Sequence, residues 1–199
     1  MNNQTKDSRY LQTEEDLLMA FELICLEKDP RKITVAEIAK KTGVTRSTFY
    51  NHYQDMPQLI ESIENKILDD LREVLYMLHV GIQYPEKITR TFFSTLCRYI
   101  KKSGYLIRQL KTLEGAEFIR KTIEMLHNYV REITKIDDGS SPAQVQLQSY
   151  LMSYTIGGLL GILHKWASED CADSSEAVAF LLSRVYLSGV SALIQSNNV

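Results

Sequence analysis

The chain has 199 residues, a formal net charge of −2 at pH 7 and a hydrophobic fraction of 44%. That much apolar side chain excludes wholesale disorder, and the length suits one large or two small domains. Three widely spaced cysteines (Cys25, Cys97 and Cys171) with no C-x-x-C pair argue against a disulfide framework and for a reduced, cytoplasmic compartment.

Met1–Ser8 is polar and contains no apolar signal region; with Arg9 just beyond it, Lys6 is a candidate for reaching DNA as an arm, against a frayed tail as the leading reading. Leu17, Phe21, Ile24 and Cys25 then repeat at helical spacing, predicting a first helix over about Tyr10–Lys28 that Asp29-Pro30 stops. Cys25 on that apolar face reads as a small core residue. Next comes Thr34 with Glu37 three residues on, a capping box, and Val35, Ile38 and Ala39 give the short helix behind it one buried side. Gly43 fits the left-handed residue that ends such a helix. Thr45 caps another helix running to about Tyr53. Phe49 and Tyr53 are expected inside, leaving Arg46, Ser47, Tyr50 and Asn51 outside. Two short helices about a tight turn, the second polar on its outer face, form a helix-turn-helix suited to the major groove. From Arg31 to Tyr53 five bases face one acid, Glu37, and this local +4 leaves −6 elsewhere. A basic patch on an acidic body is the footprint of a DNA-binding module, although a solvated charged face is the competing reading.

The run Thr-Val-Ala-Glu-Ile-Ala-Lys-Lys-Thr-Gly-Val-Thr-Arg-Ser-Thr-Phe-Tyr-Asn-His-Tyr, Thr34 to Tyr53, resembles the DNA-binding signature of the tetracycline-repressor (TetR/AcrR) family. The resemblance is strong from about Thr13 to Leu59 and architectural beyond. It implies an all-α fold with an N-terminal three-helix helix-turn-helix domain (1–56) and a helical ligand-binding and dimerisation domain (57–199). It also implies a homodimer on a palindromic double-stranded operator, a small-molecule effector and no cofactor. The Tyr50 hydroxyl is given to a phosphate by the same resemblance. Thr34, Thr45 and His52 are further phosphate candidates, Thr48 belongs to the same face, and Lys40 and Lys41 add charge. Two positions depart from the family pattern: Asp29-Pro30 stands where Gly plus an aromatic is usual, and Met56 where a Lys is frequent.

The rest of the chain is punctuated by proline, with Pro57 in the first turn of a long helix over about Pro57–His79, capped by Asp55. Ile60, Ile63, Ile67, Leu71, Val74 and Leu78 keep its register, and at 1.5 Å per residue it is about 34 Å long. Further helices are expected at about Pro85–Lys102, Tyr105–Leu113, Glu117–Lys135, Ala143–Glu169 and Ser175–Gln195, with a loop at Asp137–Ser141. The most apolar run, Leu151–Leu163, spans 13 residues and includes Ser153, Tyr154 and Thr155. A bilayer needs roughly 20 residues, so a buried helix is expected and no membrane span.

Gly157 and Gly161 lie four apart on one face of that helix, where glycines let another backbone approach closely. Val178, Leu181, Leu182, Val185, Leu193 and their neighbours give the last helix a broad apolar face. The family places these two helices in a four-helix dimer interface; intramolecular core is the competing reading. Phe93, Tyr99, Tyr129, Tyr150 and Tyr154 are candidates to line an effector pocket, against ordinary core. Glu124 and His127 have the Glu-x-x-His spacing of di-iron bundles, but one copy without further carboxylate helices gives no metal site. His79 and His164 have no partner at ligand spacing. No phosphate loop, nucleophile elbow or zinc motif is present. The leading expectation is a ligand-released homodimeric repressor and not an enzyme. A DNA-bound activator or co-activator is one alternative: some relatives with a similar Gly-Gly-Leu-Leu-Gly…Trp pattern, here Gly157–Gly161 and Trp166, act in dihydroxyacetone metabolism. A helical carrier or enzyme with a vestigial DNA-binding domain is the alternative from a different class, and the intact Arg46–Tyr50 face argues against it.

Overall fold

The computed structural model describes residues 3–80, 85–112, 117–134 and 141–196. Among these residues the protein is all-α. The helices are α1 (Asn3–Cys25), α2 (Val35–Thr42), α3 (Arg46–Tyr50), α4 (Met56–Val80), α5 (Pro85–Lys102), α6 (Gly104–Thr112), α7 (Glu117–Thr134), α8 (Pro142–Ser168) and α9 (Ser175–Ser196), with a short 3-10 turn at Pro30–Lys32. The expected loop at Asp137–Ser141 lies outside the described residues except for Ser141, and so do the side chains of Lys6, Leu78, His79 and Leu193.

Helix α1 begins at Asn3, earlier than the expected Tyr10, and its regular part ends at Cys25. Beyond it the amides of Glu27 and Lys28 still donate to the Ile24 carbonyl, so the chain keeps turning until Asp29 caps the 3-10 turn. Helix α3 stops at Tyr50, but the amides of His52 and Tyr53 donate to the Phe49 carbonyl and carry the turn on to Tyr53.

The chain forms two compact units. One comprises Met1–Asp69 with Ser103–Arg108, the other Asp70–Lys102 with Gln109–Val199. Sequence reasoning places a boundary near Met56; the compact unit that holds the helix-turn-helix continues along α4 to Asp69 and takes in the start of α6. Its core consists of Leu17, Phe21 and Cys25 from α1, Ile38 from α2, Phe49 from α3, Leu59, Ile63 and Ile67 from α4, and Tyr105 from α6. Full burial of one such side chain is worth about 1.5–3 kcal/mol.

The second unit is centred on α5 and α9. Thr89, Phe93, Cys97 and Ile100 form one buried stripe on α5, at spacings of four and three. Facing it, α9 contributes Val178, Ala179, Leu182 and Ser183. Ala179 and Ser183 are small enough for a close helix pair, and the Ser183 hydroxyl is satisfied by the Ala179 carbonyl at 2.7 Å. Helix α8 adds Ile156, Leu163, Trp166 and Ala167, and the Trp166 indole donates to the Asp173 carbonyl at 3.1 Å. All three cysteines are buried and free, and burial pushes the Cys97 thiol up to about 12.

Candidate nucleic-acid interface

Five residues are too few to make a stable helix alone, so α3 must be held by its neighbours. Thr34 caps α2 by accepting from the Glu37 amide, while the Glu37 carboxylate accepts from the Thr34 amide at 2.9 Å and hydroxyl at 2.7 Å. Gly43 adopts φ 75°, the left-handed conformation that ends α2 and turns the chain. Thr45 then caps α3, its hydroxyl accepting from the Thr48 amide at 3.1 Å. On the inner side Phe49 is fully buried, and the Tyr53 hydroxyl donates to Glu14 of α1 at 3.2 Å. Burial pushes the Tyr53 phenol up to about 12.

With that side fixed, Arg46, Ser47, Tyr50 and Asn51 form an exposed row. Tyr50 rests edge-on against Phe49, with ring centroids 5.6 Å apart, and remains 55% exposed. The other candidates are placed differently. The hydroxyls of Thr34, Thr45 and Thr48 are engaged in the two helix caps. His52 is half-buried and stacks on Tyr10 of α1 at 3.9 Å, and its buried Nδ1 has no hydrogen-bond partner.

The single acid of this segment is drawn away from the exposed row. Lys28 holds Glu37 at 2.7 and 2.9 Å, and with the two Thr34 donors this lowers the carboxyl to about 2. Arg31 pairs with Asp29 at 2.9 Å. Lys32, Lys40, Lys41 and Arg46 are exposed around α2 and α3 and leave the patch basic.

In the second unit, Gly157, Gly158 and Gly161 are exposed, and a Cβ built on any of them would meet nothing within 4 Å. Tyr150 and Tyr154, expected in a pocket, continue the same face at 66% and 76% exposure. Val178 and Leu182, expected at an interface, are buried within this chain on the side of α9 that faces the second unit's core, and Val185 is half-buried. Phe180 and Leu181 occupy the exposed side of α9, each 49% exposed, with the guanidinium groups of Arg90 and Arg184 over the Phe180 ring. Leu181 belongs to the apolar face expected from the sequence, whereas Phe180 does not.

The remaining pocket candidates are tied into the packing. Phe93 meets Tyr186 of α9 at 5.9 Å between ring centroids. The Tyr99 hydroxyl donates to Asp70 at 2.8 Å and that of Tyr129 to the Leu75 carbonyl at 2.6 Å, so both secure α4. His127 on α7 has a buried Nε2 without a hydrogen-bond partner, which sequence reasoning weighed only as a metal ligand. Among the described residues no group of three or more His, Cys, Asp or Glu side chains is arranged to hold a metal ion, and no helix is long and apolar enough to cross a membrane.

Comparison with known proteins follows the same division. Residues 22–63 match the profile described as bacterial regulatory proteins, tetR family, and residues 89–187 match one described as a transcriptional regulator C-terminal region. The chain is 36% identical over 58 residues to the uncharacterized HTH-type transcriptional regulator YxbF of Bacillus subtilis. That match covers 29% of this chain and only 15% of the relative, so the chain spans a small part of the curated protein it resembles. A tetR-family transcriptional regulator from Streptomyces coelicolor superposes with a TM-score of 0.68 at 13% identity, covering 93% of this chain and 83% of that one. The fatty acid degradation regulator FadR from Bacillus halodurans gives 0.67 at 15% identity, with 87% and 94% covered. Identities this low carry the fold alone. With a capped helix-turn-helix, an exposed polar row on its second helix and family profiles matching both parts, the chain belongs to the tetR family and is a helix-turn-helix transcriptional regulator.

Proposed function

We propose that the protein is a homodimeric repressor that binds a palindromic operator through α3 and is released by a small molecule taken up in the second unit. The observation that carries this reading is the row Arg46, Ser47, Tyr50 and Asn51, exposed on a helix whose other side is pinned by Phe49. A guanidinium at the N-terminal end of α3 suits guanine O6 and N7, and the Tyr50 hydroxyl suits a phosphate. The open glycine face of α8, flanked by Tyr150 and Tyr154 and accompanied by Phe180 and Leu181 on α9, supports a second copy of the chain as its occupant. Two such copies related by a twofold axis match a palindromic site.

The effector is a predominantly apolar molecule with one hydrogen-bonding group. Support comes from His127, whose buried Nε2 lacks a partner, while Ile123 and Leu126 on the same helix and Leu71 and Val74 on α4 are only half-buried. A buried nitrogen left unpaired is costly unless something supplies its hydrogen bond. Selection of random duplex DNA with the full-length protein tests the reading: an enriched inverted repeat is expected. Enrichment of a single half-site or of nothing sinks it. Transcription from a promoter carrying the selected site should fall when the protein is added, and a rise would replace repressor by activator.

A further inference from the structure

The start of α1 and the end of α3 meet through two pairs of side chains, both within the unit that holds the helix-turn-helix. Tyr10 and Glu14 lie one turn apart on α1, in line with the buried Leu17 and Phe21. Glu14 accepts from the Tyr53 hydroxyl at 3.2 Å. Tyr10 lays its ring on His52, with centroids 3.9 Å apart and planes 23° from parallel. The Tyr53 ring stands beside the same imidazole at 6.4 Å and 37°. One aromatic ring over its face and another beside it hold the plane of the His52 ring, although the residue lies past the end of a five-residue helix.

The two nitrogens of that ring are not equivalent. Nδ1 is buried and has no hydrogen-bond partner, whereas Nε2, equally unpaired among the described residues, is open to the surface. In its neutral form an imidazole carries one proton, on one nitrogen or the other. On Nδ1 of His52 that proton would be a buried donor with no acceptor, a costly arrangement. On Nε2 it can be taken by water or by any acceptor that approaches from outside. Burial therefore selects the tautomer that presents an N–H outward, two residues beyond Tyr50. Tyr10 buries little of itself in making the stack. It remains 46% exposed, and its hydroxyl has no partner among the described residues.

We propose that Tyr10 is a positioning residue for DNA binding: its ring holds His52 so that the Nε2 proton meets a backbone phosphate beside the groove that α3 enters. A contact of this kind sets the placement of the protein on the duplex and reads no sequence. The inference rests on the DNA-binding part of the function proposed above and adds to it a residue of α1 that itself touches no DNA.

Affinity for the duplex selected by the full-length protein is measured for Tyr10→Leu, Tyr10→Phe, His52→Ala and the double variant Tyr10→Leu/His52→Ala. A hydrogen bond to a charged group corresponds to about tenfold or more in Kd, so Tyr10→Leu is expected to weaken binding by about tenfold, equally for every sequence. Tyr10→Phe keeps the ring and is expected to stay within about twofold of wild type, and on the His52→Ala background Tyr10→Leu is expected to cost less than about twofold, because no imidazole is left to orient. A direct contact of the Tyr10 hydroxyl with DNA would make Tyr10→Phe as weak as Tyr10→Leu. A general loosening of the unit would keep the full cost of Tyr10→Leu on the His52→Ala background. Either outcome overturns the proposal, and so does wild-type affinity in Tyr10→Leu. Nitrogen NMR of the imidazole in the wild-type protein gives an independent reading: a proton on Nε2 whose signal shifts when DNA binds is expected, and a proton on Nδ1, or no shift, overturns the proposal. Failure to select any DNA sinks this inference together with the function it rests on, whereas tight binding by Tyr10→Leu sinks this one alone.

Discussion

Replacing Gly157 and Gly161 with alanine separates a partner-covered face from an open one by the sign of the effect. Within the protomer both positions are unobstructed, with nothing within 4 Å of an added Cβ. Glycine in a helix interior is about 0.8–1.0 kcal/mol less favourable than alanine, so the double variant gains about 2 kcal/mol if the face meets only water. At about 2–4 °C per kcal/mol for a chain of this size, its melting temperature rises by roughly 4–8 °C. If a second backbone packs there, each added methyl overpacks the contact at about 1–3 kcal/mol. A twofold interface carries every substitution twice, so Gly161→Ala alone weakens association by about 2–6 kcal/mol, roughly 30-fold to 10⁴-fold in the dimer dissociation constant. Sedimentation over a concentration series reads the dissociation constant, and thermal melting at high and low concentration reads the stability. We expect a variant that dissociates at concentrations where the wild type is dimeric. A variant that melts higher and keeps the wild-type dissociation constant would refute the assignment of this face to a second copy.

Other outcomes are expected at the opposite end of the chain. Arg46→Ala should flatten preference at one base position per half-site, a contact worth about 1–3 kcal/mol, whereas Tyr50→Phe should weaken all sites equally and keep the preferred sequence; selection of random DNA against both variants would expose a reversal of these roles. Lys40→Ala should lower the slope of log K against log salt by about 0.9 if Lys40 neutralises a phosphate, and an unchanged slope would remove it from the interface. Glu37 is held down to about 2 first by Lys28 and then by Thr34, so its contribution to stability is present above the unfolded value of 4.5 and lost as pH falls through about 2. Glu37→Gln should therefore flatten the acid limb of stability against pH between those values, and thermal melts at stepped pH that run parallel to wild type would contradict it. Gly104→Ala forces α6 away from the Glu22 carbonyl and should cost about 1–3 kcal/mol in urea unfolding; wild-type stability would show that the close approach is not needed.

What the sequence determined by itself is local. The Thr34–Glu37 box, the left-handed Gly43, the Thr45 cap and the inward pair Phe49 and Tyr53 are each legible within a few residues, because a helix end must satisfy its own amides with whatever lies within one turn. The outward row on α3 follows from the same spacing. Tertiary structure decided what spacing cannot phase. Helices α8 and α9 are apolar around most of their circumference, so periodicity offers no reason to bury Val178 and Leu182 and expose Phe180, Leu181, Tyr150 and Tyr154. Packing against α5 and α8 makes that choice for α9. In α4 the expected stripe is buried at Ile63 and Ile67 but half-buried at Ile60, Leu71 and Val74, while Leu59, Leu68 and Leu75 go inside as well, because neighbours on more than one side widen the buried face. The tyrosine hydroxyls of α5 and α7 find Asp70 and the Leu75 carbonyl at separations of 29 and 54 residues, and Arg108 reaches the end of α1 across 83 and 82. A buried polar group must find a partner somewhere, and the sequence states that need without stating where the chain will meet it.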